Sequence, residues 1–252
     1  MSAPRVALKM VRLCALSITG SLAVAGCLVD PRFASDPSTQ HETKDTQLDF
    51  VVESDGATMT STASLSYGSA DIRLDGGDVL NATLAGAPLP LLEIHHDDGT
   101  HDNYSYAATV TAPAPNPTLT LAFVRGGGRT SAPGTQVTLP PGFTLGAPPA
   151  SVVAGHAFTL PSTDLKSVSG QVNVTLSATC LERTVNEDHE IVDANGAIEI
   201  SGFKVTLARG ATECMVDVKV SLEKKGTIDP AFSSFSTAVA RQTRTTSVRF
   251  TK

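Results

Sequence analysis

Tryptophan is absent from these 252 residues, and tyrosine occurs only three times. Sugar-cleaving enzymes hold substrates on such rings, so the scarcity argues against a glycosidase. Paired carboxylates supplied by distant strands keep that chemistry open. Basic runs are missing as well. The 25 acidic residues outnumber the 19 lysines and arginines, and an acidic chain without a cationic run does not suit nucleic acid. Arg241, Arg244 and Arg249 near the C-terminus are read as balancing neighbouring acids. The mainly apolar stretch from Leu13 to Val24 covers 12 residues, where a membrane-spanning helix needs about 20. No segment carries sustained helical periodicity. The G-x-S-x-G elbow, the phosphate-binding loop and the H-E-x-x-H helix are all lacking. Ser221-Leu222-Glu223-Lys224 spells S-x-x-K, but it sits in a strand-like run and its companion motifs are missing. No enzyme activity is expected.

What the chain does have is threonine, serine, 20 glycines and 15 prolines, a composition of short strands and turns. From Gln47 onward β-type runs recur, among them Leu119-Thr120-Leu121-Ala122-Phe123 with its alternating pattern. Asp55-Gly56, Asp75-Gly76-Gly77 and Asp98-Gly99 mark turns between them. A second set follows Pro140-Pro141-Gly142. In Val172-Asn173-Val174-Thr175-Leu176 and Val216-Asp217-Val218-Lys219-Val220 the apolar residues share one face. Thr243 to Thr251 reads as the last strand, with Val248 and Phe250 inward, and Pro230 to Ala240 admits a short helix. The expected fold class is all-β, with two tandem antiparallel β-sandwich domains at 47–140 and 141–252. Strands at this spacing resemble the immunoglobulin-like sandwiches of bacterial surface proteins, although the Cys…Trp…Cys framework of antibody domains is lacking. That resemblance implies a fold and no particular function.

The N-terminus carries a different signal. Arg5, Lys9 and Arg12 precede the apolar stretch as a basic region, and Val24-Ala25-Gly26-Cys27 closes it. This is the order of an export signal, and the closing tetrapeptide resembles the lipobox of bacterial lipoproteins. The resemblance implies cleavage before Cys27, a diacylglycerol thioether on its sulfur, and acylation of the new amine. Two or three acyl chains anchor firmly where one binds marginally. Leu28 stands where an aspartate would retain an enterobacterial lipoprotein at the inner membrane, so the implied address is the outer membrane. Residues 1–26 are then a signal peptide and 27–46 a lipidated cysteine with a flexible tether. Removing residues 1–26 takes away three cations and no acid, which moves the formal charge from −6 to −9. The competing readings are a secreted chain with a free thiol and a transmembrane anchor. With Cys14 in the signal peptide and Cys27 lipidated, Cys180 and Cys214 remain, and an even pair in an exported chain is read as one disulfide.

Two polar clusters could carry chemistry. His95, His96, Asp97, Asp98, His101 and Asp102 gather three imidazoles and three carboxylates around a turn, a donor set for a divalent cation. The same composition suits a solvated hairpin tip, and adjacent strand residues such as His95 and His96 face opposite sides. Glu187-Asp188-His189-Glu190 with Asp193 forms the second cluster and reads as a solvated loop or a ligand contact. The expected product is a lipid-anchored cell-envelope protein, non-catalytic and without a resident cofactor, binding a protein or glycan. The alternative is a metal- or carbohydrate-binding module built on the His95–Asp102 loop, and a third reading is an envelope hydrolase.

Overall fold

A computed structural model describes residues 35–97, 102–112, 116–165, 171–189, 196–200 and 205–252, with backbone alone at 171 and 187–189. Cys27 and the signal segment lie outside the described residues. The first half forms β1 (Asp36–Pro37), β2 (Gln47–Ser54), β3 (Thr58–Tyr67), β4 (Ala70–Arg73) and β5 (Val79–Leu84). It continues with β6 (Ala87–Leu89), β7 (Leu92–Asp97), β8 (Asp102–Thr111), β9 (Thr118–Val124) and β10 (Ala132–Thr138). The second half adds β11 (Thr144–Leu145), β12 (Val152–Val153), β13 (Phe158–Leu160), β14 (Ser162–Thr163) and β15 (Gln171–Ser177). The last strands are β16 (Val185–His189), β17 (Ile198–Ile200), β18 (Glu213–Lys225) and β19 (Thr237–Thr251). Among the described residues the only helical pieces are two 3-10 turns, Ser38–Gln40 and Thr43–Asp45.

Period-two alternation builds the sandwich. Leu48, Phe50 and Val52 on β2 and Met59, Ser61, Ala63 and Leu65 on β3 are fully buried, while the alternate residues face outward. The large sheet runs β1-β4-β3-β2-β19-β18-β15-β16, with β7 and β8 attached beside β3. A four-stranded sheet, β10-β9-β5-β6, covers part of it. Its Leu119, Leu121 and Phe123 close the first core. The second core lies under β15, β18 and the end of β19, closed by Phe158 and Leu160 of β13 and Ile198 and Ile200 of β17.

The 15-residue strand β19 passes through both cores and extends about 50 Å. Ala238 and Ala240 at its start join the first core, and Val248 and Phe250 at its end join the second. It pairs antiparallel with β18 along 13 residues and parallel with β2 over Thr237–Gln242. The parallel pairing departs from the purely antiparallel expectation. Residues 237–240, expected to admit a helix, are strand because β2 and β18 supply a backbone ladder on both sides. Leu139 packs in the first core and Phe143 in the second, so the cores change over at Pro140-Pro141-Gly142. Phe232, Ala238 and Ala240 nevertheless belong to the first.

Residues 36–46 correct the expectation of a flexible tether. β1 pairs with β4, and Ser38, Thr43 and Thr46 are buried. The cause is a buried ionic cluster. The carboxylate of Asp78 lies 2.9 Å from both Arg125 Nε and Arg129 Nη2. It also accepts from Ser38 Oγ and from the Gly126 amide, both at 2.8 Å. Arg125 in turn donates to the carbonyls of Ser38 and His41 at 2.8 and 3.0 Å and to Thr43 Oγ1 at 3.0 Å. Its guanidinium rests 4.8 Å from the Phe123 ring centroid. Burial lowers the Arg125 pKa and Asp78 counters that effect. Gly126 lets this loop reach the Gly76 carbonyl, because a Cβ there would collide with it. Asp75 completes the clasp, accepting from the Thr39 amide at 2.9 Å and Thr39 Oγ1 at 3.0 Å. Burial pushes the Asp75 carboxyl upward, but these donors hold it below its ordinary value.

The expected disulfide is present. Cys180 and Cys214 are bonded, with Cα atoms 5.9 Å apart. The bridge fastens the turn after β15 to the start of β18, beside the isolated bridge between Leu181 and Leu207.

Candidate interaction surface

The β7–β8 hairpin carries an outer strand exposed along its whole length. β8 pairs with β3 on one side and with β7 on the other. Among the described residues β7 has no strand on its outer side. All six residues of β7 are exposed, with Leu92 at 71% and Ile94 at 49%. The inner strand is well rooted. Tyr106 on β8 is buried, and its hydroxyl accepts from the Leu74 amide at 2.9 Å. Burial pushes the Tyr106 phenol up to about 12. A cleft of about 560 Å³ opens beside β7, lined by Leu89, Pro90, Leu92, Ile94, Ala107 and Val110 among others. An inner strand paired on both sides thus presents an outer strand with an open edge, apolar side chains and an adjacent apolar cleft. That geometry suits strand addition by a partner.

The histidine–aspartate cluster sits on this hairpin. The register pairs His95 with Tyr104 and Asp97 with Asp102, so these four share one face, and His96 with Asn103 takes the other. His95 Nε2 approaches Asp102 Oδ1 at 3.2 Å, and its ring stacks on Tyr104 at 4.6 Å between centroids. Arg73 lies 5.9 Å from the Tyr104 centroid. Asp98 and His101 lie outside the described residues. Among the described residues no three histidine, cysteine, aspartate or glutamate side chains converge as metal ligands. Of the second cluster, the side chains of Glu187, Asp188 and His189, and all of Glu190 and Asp193, lie outside the described residues.

The remaining candidates have structural partners. Ser221 lies on β18 with Oγ 3.2 Å from Thr243 Oγ1, and three strand positions place Lys224 on the opposite face. Arg241 pairs with Glu223 at 2.8 Å and Arg249 lies 3.9 Å from Glu213, as charge balance required. Arg244 lies in the field of Asp55 and also donates to the Phe143 carbonyl at 2.8 Å. Sequence reasoning gave no weight to Leu92 and Ile94 as contact residues. Their exposure comes from the lack of a neighbour for β7, and the adjacent pair Leu91-Leu92 reads as core.

The molecule belongs to the class of all-β sandwiches. No protein-family model matches the chain. No curated protein matches it in sequence. Among solved structures it is similar to the three-domain ectodomain of mouse nectin-like molecule 4. The identity is 13%, the alignment covers 82% of this chain and 65% of that one, and the TM-score is 0.26. It is likewise similar to a three-immunoglobulin-domain titin structure, at 8% identity, 81% and 64% coverage and TM-score 0.24. A two-domain titin structure in complex with telethonin aligns at 14% identity, 82% and 95% coverage and TM-score 0.22. The chain spans less than two thirds of the first two structures. At these TM-scores the superpositions carry no argument about its work.

Proposed function

We propose that this chain is a lipid-anchored cell-envelope protein that acts as a non-catalytic interaction module, with the β7–β8 hairpin as its contact surface for a protein partner. The observation that carries the surface is the open edge of β7, where six consecutive residues are exposed and Leu92 and Ile94 stand clear of the body. Open edges template strand pairing, and proteins usually shield them with proline, lysine or a bulge. β7 contains neither proline nor lysine, and its ladder with β8 runs without a register shift. The anchor is supported by Cys27 in Val24-Ala25-Gly26-Cys27 behind a basic and then apolar leader. That resemblance to a lipobox supports the cell envelope as the address of this module.

A photoreactive phenylalanine analogue placed at Ile94 tests the surface in cells of the native host. The expected result is one covalent adduct, identified by mass spectrometry, with the cross-link mapping to position 94. The same probe at Val79, exposed on the other sheet, gives none. Equal labelling from both positions, or none at 94, contradicts the reading.

A further inference from the structure

We infer that the occupant of the β7 edge is a second copy of this chain, added antiparallel so that the large sheets of two molecules become continuous. The inference rests on the reading of β7 as the contact surface. It follows from the order of charges along Leu92-Glu93-Ile94-His95-His96-Asp97.

A two-fold axis perpendicular to the sheet keeps every side chain on its own face, so only registers pairing positions of equal parity are allowed. Four such registers lie near the strand centre; with His96 opposite its own copy, His95 meets Asp97 twice, but two imidazoles lie on the axis and Ile94 runs past the end of the copy's strand. With Glu93 opposite its own copy, two carboxylates meet on the axis. With His95 opposite its own copy, two imidazoles meet there, and Glu93 falls opposite Asp97 on both sides. Like charges directly opposite are destabilising. The fourth register centres Ile94 on Ile94 of the second copy. It sets Glu93 opposite His95 twice and Leu92 opposite His96 twice. Here every carboxylate of the central pairs faces an imidazole, and the exposed isoleucines bury each other.

The same arrangement explains why an unshielded edge carries acids. Glu93, which already hydrogen-bonds Tyr106 within its own chain, works against random strand addition, and in this register it also meets an imidazole. Within its own chain His95 already leans on Asp102 and stacks on Tyr104, which fixes the ring before a second copy arrives. Leu92 and Ile94 also line the cleft beside β7, together with Glu93 of the other face.

Cross-linking of the full chain gives a register-specific readout. Directly opposite residues on antiparallel strands have Cα atoms about 4.5–5.5 Å apart, within the span of a disulfide. Ile94→Cys is expected to form a covalent dimer under mild oxidation. Val153→Cys, exposed elsewhere, and the wild-type chain are expected to form none. Adding Glu93→Lys to Ile94→Cys sets lysine opposite histidine and lowers the dimer yield by about tenfold. Further addition of His95→Glu reverses the charges and restores it. A wild-type chain that sediments as a monomer throughout, with no Ile94→Cys dimer, overturns the inference. If the photoreactive probe at Ile94 still labels a different protein, the contact surface stands and the second copy falls. If position 94 labels nothing, both readings fall together.

Discussion

Replacing Asp78 with alanine is expected to cost about 3–5 kcal/mol of folding stability, the usual loss when one member of a buried ion pair is removed. Its carboxylate and the Arg125 side chain are both fully inaccessible. The substitution leaves the Arg125 guanidinium without its counter-charge and the Gly126 amide without its acceptor. The damage reaches the N-terminal strap, because Ser38 Oγ keeps only its hydrogen bonds with Asp75 and Arg125 loses the contact that aims it at the carbonyls of Ser38 and His41. Chemical denaturation measures the loss directly, and proteolysis of residues 36–46 in the still-folded variant reports release of the strap. Lys219→Ala is the contrast. Its ion pair with Glu53 is 47% and 38% exposed, so its removal costs at most about 1 kcal/mol. Equal costs for the two substitutions would contradict the role given to the buried cluster.

Opening the disulfide is expected to have an effect of similar size by a different route. Cys180 and Cys214 are separated by 34 positions, and closing a loop of that length restricts the unfolded chain by about 3–4 kcal/mol. For a folded body of this size that corresponds to a melting-temperature drop on the order of 10 °C. The double substitution Cys180→Ala with Cys214→Ala should show the drop, and a reductant should reproduce it in the wild type while leaving the variant unmoved. The second core should loosen first, since Cys214 packs beside Val216 and Phe250 within it. Identical melting of oxidised and reduced protein would contradict this account.

The alternating strands could be read from sequence because their cause is local. Val172 to Leu176 and Val216 to Val220 expose and bury residues in turn, and all their apolar members lie in the second core. The Asp55-Gly56 turn was readable for the same reason. Asp55 accepts from the amides of Ala57 and Thr58, two and three residues on, and Gly56 has φ +96°. What stayed hidden depends on distant partners. Thr237 to Ala240 is strand because it lies between β2 and β18, and the strand preference of Thr237 and Val239 alone was too short a signal to exclude a helix. Residues 36–46 looked like a polar tether because their acceptors and donors, Asp75, Asp78 and Arg125, come from later in the chain. The same holds for the surface. The pattern of β7 identifies it as a strand, but which strand lacks a neighbour is a property of topology, so the polar residues His95 to Asp102 drew the reading away from Leu92 and Ile94.

The central claim is that a folded interaction module is held at a membrane through Cys27, and the most direct test is the intact mass of the full chain isolated from membranes of its native host. The account predicts a mass lacking residues 1–26 and carrying two or three acyl chains, with both features lost in Cys27→Ser. A soluble, unacylated product that retains a thiol at Cys27 would contradict it.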